Sequence, residues 1–183
     1  MNLYHISDTS GIRLFEPRPV PSRSGAEGNM VWAIDREHLP NYLLPRDCPR
    51  VTFKKTEQSK REDVERLIGA TSAERIIVVE SGWVERILAE QIVLYTFDPA
   101  RFKLQDEGAG YWVSLEAVVP IAEEKITSPL ACLLQESVEL RITPSLWQLR
   151  EAVADSSLEF SIIRMRNAAP PPEGFITKYP VPT

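Results

Sequence analysis

Two histidines, two cysteines and eight glycines are spread through 183 residues, and each scarcity excludes a class of chemistry. Cys48 and Cys132 stand too far apart for a metal-ligand spacing and are too few for a disulfide framework. No glycine-rich stretch has the form of a phosphate loop, and no set of His, Cys and Asp residues has metal-ligand spacing, so no metal is expected. No apolar run approaches the roughly 18 residues a membrane helix needs. The N-terminus lacks a basic start followed by an apolar stretch, so no secretory leader is expected and the cytoplasm is the default location.

What is present is a chain with a full apolar complement. Hydrophobic residues make up 43% of it, enough for a substantial core. The net charge is −5, which argues against general nucleic-acid binding. The charge is unevenly spread. Residues 1–61 carry ten Lys and Arg against seven Asp and Glu, while residues 62–183 carry eleven against nineteen. A mildly basic first third is either solvated surface or the lining of a site for a phosphorylated or carboxylated small molecule.

Along the chain, residues 2–7 read as a strand. Pro17, Pro19 and Pro21 then make an extended loop that leads into the small, polar Ser22–Gly28 stretch. Residues 30–34 read as a second strand. Asp35 suits the cap of a following surface helix with Glu37 and His38 in its first turn, where Pro40 is tolerated. Strands are expected at 50–54, 76–79, 92–97 and 111–114, with Val118–Ile121 continuing outward. Helices are expected at 57–68, at 82–90 with Trp83, Ile87 and Leu88 inward, and at 144–154 with Leu146, Trp147, Leu149 and Val153 inward. Residues 160–163 suit either a helix or a strand. Residues 168–183 hold five of the fifteen prolines, an extended tail that either docks or stays disordered. Short strands mixed with short helices imply an α+β fold. The expected division is a core over 1–125 and a C-terminal extension over 126–183 packed on it.

Four groups of residues suit chemistry. His5 ends a short apolar run, Leu3-Tyr4-His5-Ile6-Ser7, and histidine is the side chain that titrates near neutrality. A half-buried structural histidine is the alternative. Trp32 and Tyr42 are flat rings able to sandwich a heterocycle, or else ordinary core. Arg18, Arg46 and Arg50 lie among prolines. A stiffened loop presents a guanidinium at low entropic cost, which suits forked recognition of phosphate; surface solvation or internal pairing is the alternative. Cys48, between Asp47 and Pro49, has no histidine beside it in sequence and is not expected to be a nucleophile.

The opening segment and Val31-Trp32-Ala33-Ile34-Asp35 with Asn41-Tyr42 resemble the first two motifs of the ADP-ribosyltransferase superfamily, in its His-Tyr-Glu branch. Ile6 replaces that branch's glycine. The resemblance implies a split antiparallel sheet with short flanking helices and a helical C-terminal extension. It also implies NAD as the cofactor, with His5 on a ribose hydroxyl and Tyr42 and Trp32 against nicotinamide. Ser7 and Trp112 lie in the matching motifs and are carried as further NAD contacts, and Arg18, Arg46 or Arg50 would meet the pyrophosphate. The branch's glutamate precedes an aromatic strand that here is Tyr111-Trp112-Val113-Ser114, and the residue in its place is Gly110. Glu107, on the preceding turn, and Glu116, beyond the strand, are the substitutes. Over its full length the chain also resembles an uncharacterised family of small bacterial proteins. Those proteins share a Trp-Ala-Ile-Asp segment, a Pro-Arg-Asp-Cys-Pro-Arg-like loop and a Gly-Tyr-Trp-Val-Ser stretch.

Three functions follow as expectations: an NAD-site protein of ADP-ribosyltransferase type; a module that binds a nucleotide or small anion without chemistry; and an interaction protein that docks a partner through its tail and the 144–154 helix.

Overall fold

The computed structural model describes residues 1–19 and 28–180, so Pro21 and the polar stretch after it as far as residue 27 lie outside the described residues. In chain order, the described strands are β1 (Leu3–Ser7), β2 (Arg18–Pro19), β3 (Asn29–Ile34), β4 (Arg50–Lys54), β5 (Arg75–Glu80), β6 (Ile92–Phe97), β7 (Lys103–Asp106), β8 (Tyr111–Ser114), β9 (Ala122–Ile126), β10 (Val138–Thr143) and β11 (Glu159–Ile163). The helices are short: α1 (Arg61–Asp63), α2 (Val84–Ala89), α3 (Pro129–Leu134) and α4 (Trp147–Ala154). The class is α+β.

The chain divides into two compact units, each built from two stretches of sequence. Residues 1–43 and 91–129 form the first; residues 44–90 and 130–183 form the second. Strands β4 and β5, from the 1–125 stretch, thus take sheet partners from beyond residue 125. The 126–183 stretch contributes strands β10 and β11 as well as helices.

The first unit is an antiparallel sheet in the order β7-β8-β3-β1-β6-β9, with β2 paired to the start of β3. Both faces are covered. Leu3, Val31, Ala33, Tyr95 and Phe97 are buried on one, beneath Phe15 of the loop after β1. Phe15 sits edge-on to Tyr95 and Phe97 at ring separations of 4.9 and 5.0 Å. The loop is held by the Tyr95 hydroxyl, which donates to Thr9 O at 2.9 Å and accepts from Ile12 N at 3.0 Å. Ile34, Leu39 and Leu94 form a smaller cluster on the other face. Each such side chain contributes on the order of 1.5–3 kcal/mol when fully buried. Val118 makes an isolated bridge to Phe15 rather than the start of a strand.

The second unit is a mixed sheet in the order β10-β5-β4-β11, with β10 parallel to β5 and the other pairs antiparallel. All six residues of β5 are buried, as its unbroken Ile-Ile-Val-Val run demands. Val51, Phe53, Ile76 and Val78 pack with Leu146, Trp147 and Val153 around α4. The helix expected over 57–68 forms only from Arg61, and after α1 it continues as a π-turn, Val64–Ile68. Its end is satisfied from another strand: the Arg141 guanidinium donates to Leu67 O at 2.7 Å and Ile68 O at 2.5 Å. In α2, Ile87 is buried while Leu88 is exposed. Consecutive helical residues point about 100° apart, and this short helix covers the core on one side only.

The tail docks as far as Pro180. Trp147 Nε1 donates to Ala169 O at 2.7 Å, and Arg150 donates to Tyr179 O at 3.2 Å and Pro180 O at 2.8 Å. Glu80, only 3% exposed, accepts from Leu146 N with one oxygen and from Ala169 N with the other, at 3.1 and 2.8 Å. One buried carboxylate thereby ties the end of β5 to the start of α4 and to the tail.

Candidate functional site

Register in the first unit decides which expected site residues meet. Tyr4 lies opposite Ile34, His5 opposite Tyr95, and Ala33 opposite Trp112. Side chains alternate along each strand, so His5, Ser7 and Trp112 fall on one face. Trp32 and Tyr111 fall on the other. The rings agree. His5 meets Phe15 edge-on at 5.0 Å, whereas Trp32 meets Tyr111 at 5.5 Å. The Tyr42 hydroxyl lies 2.6 Å from that of Tyr111, so Tyr42 joins the Trp32 face. The sheet itself separates His5 from Trp32 and Tyr42, and the single wall that the NAD resemblance asks of them is not formed.

The other first-unit residues are placed as follows. His5 Nδ1–H donates to Trp32 O at 2.8 Å, which fixes the imidazole under the Phe15 loop. Ser7 Oγ accepts from Thr9 N at 3.1 Å. The half-buried Trp112 packs in the Phe15 cluster, its indole N–H buried and without a hydrogen-bond partner among the described residues. Glu107 is exposed on the β7–β8 turn. Glu116 is exposed and paired with Arg101 at 3.0 Å. Arg18 is exposed on β2.

His38 departs from the surface position expected of it: it is 7% exposed. Asp35 does cap the turn, accepting at Oδ1 from His38 N at 2.9 Å and from His38 Nδ1–H at 2.8 Å. The turn that follows, Leu39–Tyr42, is a single 3₁₀ turn rather than a helix, with Pro40 at its start. Gly110 closes against this pair. Its φ is +66°, and a Cβ there would lie 2.2 Å from His38 Nδ1.

The second unit brings arginines together at a place the sequence marks only in part. Pro45-Arg46-Asp47-Cys48-Pro49 is a tight turn in which Cys48 N donates to Pro45 O at 2.9 Å. Arg50, 2% exposed, turns inward and donates through one Nη to Pro45 O at 3.2 Å and Cys48 O at 2.9 Å. It braces the turn instead of presenting a guanidinium to solvent. Cys48 is fully buried, and burial pushes its thiol up to about 12, with Arg50 opposing. Arg46 and Asp47 at the tip are exposed.

Pairing of β11 with β4 carries the chain back past this turn. Arg164 follows β11 and adopts left-handed backbone, φ 57° and ψ 29°, a conformation that costs a residue with a side chain about 1–2 kcal/mol. The 3₁₀ turn Met165–Asn167 comes next. Met165 is 3% exposed in the core, and Asn167 Nδ2 donates to Asp47 O at 2.7 Å. Pinned at those two residues, the turn leaves Arg164 half-buried at the Arg46–Asp47 tip and Arg166 exposed. Arg164 Nε donates to Arg46 O at 3.3 Å and lies 3.7 Å from Asp47 Oδ1. Among the described residues, its two terminal nitrogens have no acceptor, and Arg166 makes no hydrogen bond or ion pair. Sequence reasoning reached Arg46 through its prolines but missed Arg164 and Arg166, which stand in no proline-rich loop and become relevant only through the backbone turn and the strand pairing.

No described helix is long and apolar enough to cross a membrane. No curated protein and no solved structure matches the chain, and no comparison links it to ADP-ribosyltransferases. A family model does match, over residues 4–168. Its span takes in both units, the Pro45–Arg50 turn and the Arg164–Asn167 turn, and by that match the chain belongs to a family of unknown function, DUF6886.

Proposed function

We propose that the protein is a binding module that holds a small anion, without transforming it, on the arginine face of its second unit. The observation that carries this reading is Arg164. A residue with a side chain kept in left-handed backbone marks a place where the fold over-determines a conformation, and such places concentrate at ligand sites. Here the strained residue presents two terminal nitrogens with no acceptor among the described residues. Two such groups, side by side on a planar fork, match two oxygens of a phosphate or carboxylate. Arg166 adds a second exposed guanidinium, and Arg46 a third on a braced turn.

The NAD-transferase reading requires His5 and Tyr42 on one wall, and they face opposite sides of a sheet. The pyrophosphate part of that reading survives only as one of the anions the arginines would accept.

Titration calorimetry with inorganic phosphate, pyrophosphate and NAD tests the proposal. Phosphate and pyrophosphate are expected to bind, more weakly as salt rises, because part of the attraction is screened. Arg164→Gly and Arg166→Ala should each weaken binding. Incubation with NAD should release no nicotinamide. Release of nicotinamide that depends on His5 would overturn the non-catalytic reading, and an absence of binding to all three compounds would overturn the anion site.

A further inference from the structure

We infer that strand β11 is a docking edge for β11 of a second copy of this chain, so that two molecules join through the sheet of their second units. The inference is independent of the anion reading. The last strand of a sheet presents alternate backbone N–H and C=O groups to no strand partner. Folded proteins guard such edges with charge, proline, short length, irregular pairing or a covering segment. The sheets end at β7 and β9 in the first unit and at β10 and β11 in the second. Strand β7 has four residues, and its pairing with β8 is irregular between Leu104 and Asp106. Strand β9 carries Glu123, Glu124 and Lys125 in succession. Strand β10 carries Glu139 and Arg141, and Arg141 is tied to the end of the Val64–Ile68 turn.

Strand β11 lacks these guards. Its sequence, Glu-Phe-Ser-Ile-Ile, holds no proline, lysine or arginine. Its pairing with β4 runs in unbroken register from Glu159 to Ile163, and no further strand lies beyond it among the described residues. Its one charge stands at the first position, where Glu159 is already paired with Lys54 at 3.1 Å. A flat, regular, apolar edge of this kind is a template for another strand.

The strand is complementary to itself. Phe160 and Ile162 point to the face of Phe53 and Val51, their register partners on β4. Ile162 packs against the core there, whereas Phe160 remains 43% exposed. Antiparallel pairing about a two-fold axis at Ser161 sets Phe160 against the partner's Ile162, and Ile162 against the partner's Phe160. Such aromatic–aliphatic cross-strand pairs are favourable, and this one covers the ring that a single chain leaves in water. The same pairing brings each acidic Glu159 end towards the partner's basic Arg164, one residue past the strand. Parallel pairing in register would instead set the two Glu159 carboxylates side by side. Five residues from each chain make a small interface, so association is expected with a Kd on the order of 10–100 µM.

The test is sedimentation velocity of the full chain from about 5 to about 500 µM, a range that brackets the expected Kd. The mass should rise from monomer to dimer. Phe160→Lys puts a charge on the edge at a partly exposed position, so the variant is expected to fold, with an unchanged circular dichroism spectrum, and to raise the Kd at least about tenfold. Ile142→Lys, at an exposed position on the opposite edge, should leave the Kd unchanged. Hydrogen exchange of wild-type protein supplies a measurement that needs no variant. Backbone amides of residues 159–163 should exchange more slowly at the high concentration than at the low one, while those of β9 should not change. A chain that stays monomeric throughout overturns the inference. So does a dimer that survives Phe160→Lys or is lost in Ile142→Lys. Exchange in β11 that is equally slow at both concentrations also overturns it, because the edge would then be covered without a second copy.

Discussion

Single residues in this protein show how environment, more than residue type, sets chemical behaviour. Cys48 has an arginine close by, which normally favours a thiolate, yet it is fully buried and burial wins, pushing the thiol up to about 12. Native protein treated with a disulfide reagent at pH 8 should show one accessible thiol, the half-buried Cys132; Cys48 should react only on unfolding. Two rapid thiols would contradict the packing around Pro45–Arg50. Asp63 shows the reverse effect. The Ser157 backbone N–H, then the Ser157 hydroxyl, then Arg66 hold its carboxyl down at about 2. Because the folded value lies below the ordinary one, the stability it confers is complete above about pH 4. That stability is lost as pH falls towards 2. Chemical denaturation of wild type and Asp63→Asn should therefore differ at pH 7, with the difference closing between pH 4 and 2; a constant difference would show that Asp63 acts by some route other than its charge. Gly110 is constrained by space as well as backbone. Gly110→Ala meets His38 Nδ1 and adopts φ +66° with a side chain, so it should destabilise the protein by about 2–4 kcal/mol in urea melts.

Elements were legible where burial wrote a pattern into the chain. The β-branched run of β5 and the aromatic-aliphatic run of β6 could be read directly, because both are central strands buried on both sides. Strands β7, β9 and β10 were not readable. Each lies at the edge of its sheet, and the sequences Lys-Leu-Gln-Asp and Ala-Glu-Glu-Lys-Ile are almost wholly exposed. Such strands owe their conformation to a neighbour's hydrogen bonds, which no local pattern records. The arginine face divides in the same way: prolines flag Arg46, whereas Arg164 reaches it only through the β11–β4 pairing, 118 residues on in the chain. The tail and α4, which sequence alone offered as a surface for another protein, bind each other. Lys178 pairs with Asp155 at 2.6 Å, and Tyr179 donates to the same carboxylate. Removal of residues 168–183 should expose the Trp147 indole, shift its fluorescence to the red and lower the melting temperature. An unchanged emission spectrum would mean that the tail does not cover this ring in solution.

At the scale of the molecule, the chain leaves the first unit at residue 44, returns at 91 and leaves again at 130. Contacts distant in sequence therefore outnumber local ones in both sheets, a topology that folds slowly. There is a consequence for synthesis. As the polypeptide emerges from the ribosome, β1 and β3 must wait for β6 and β8, and β4 and β5 for β10 and β11. The first sheet lacks its last strand until residue 126 has been made, and the second until residue 163. The apolar run Ile76–Val79 has β4 beside it early but lacks β10 and the covering α4 until residue 154 has been made, and over that interval the newborn protein is most exposed to aggregation and most in need of a chaperone.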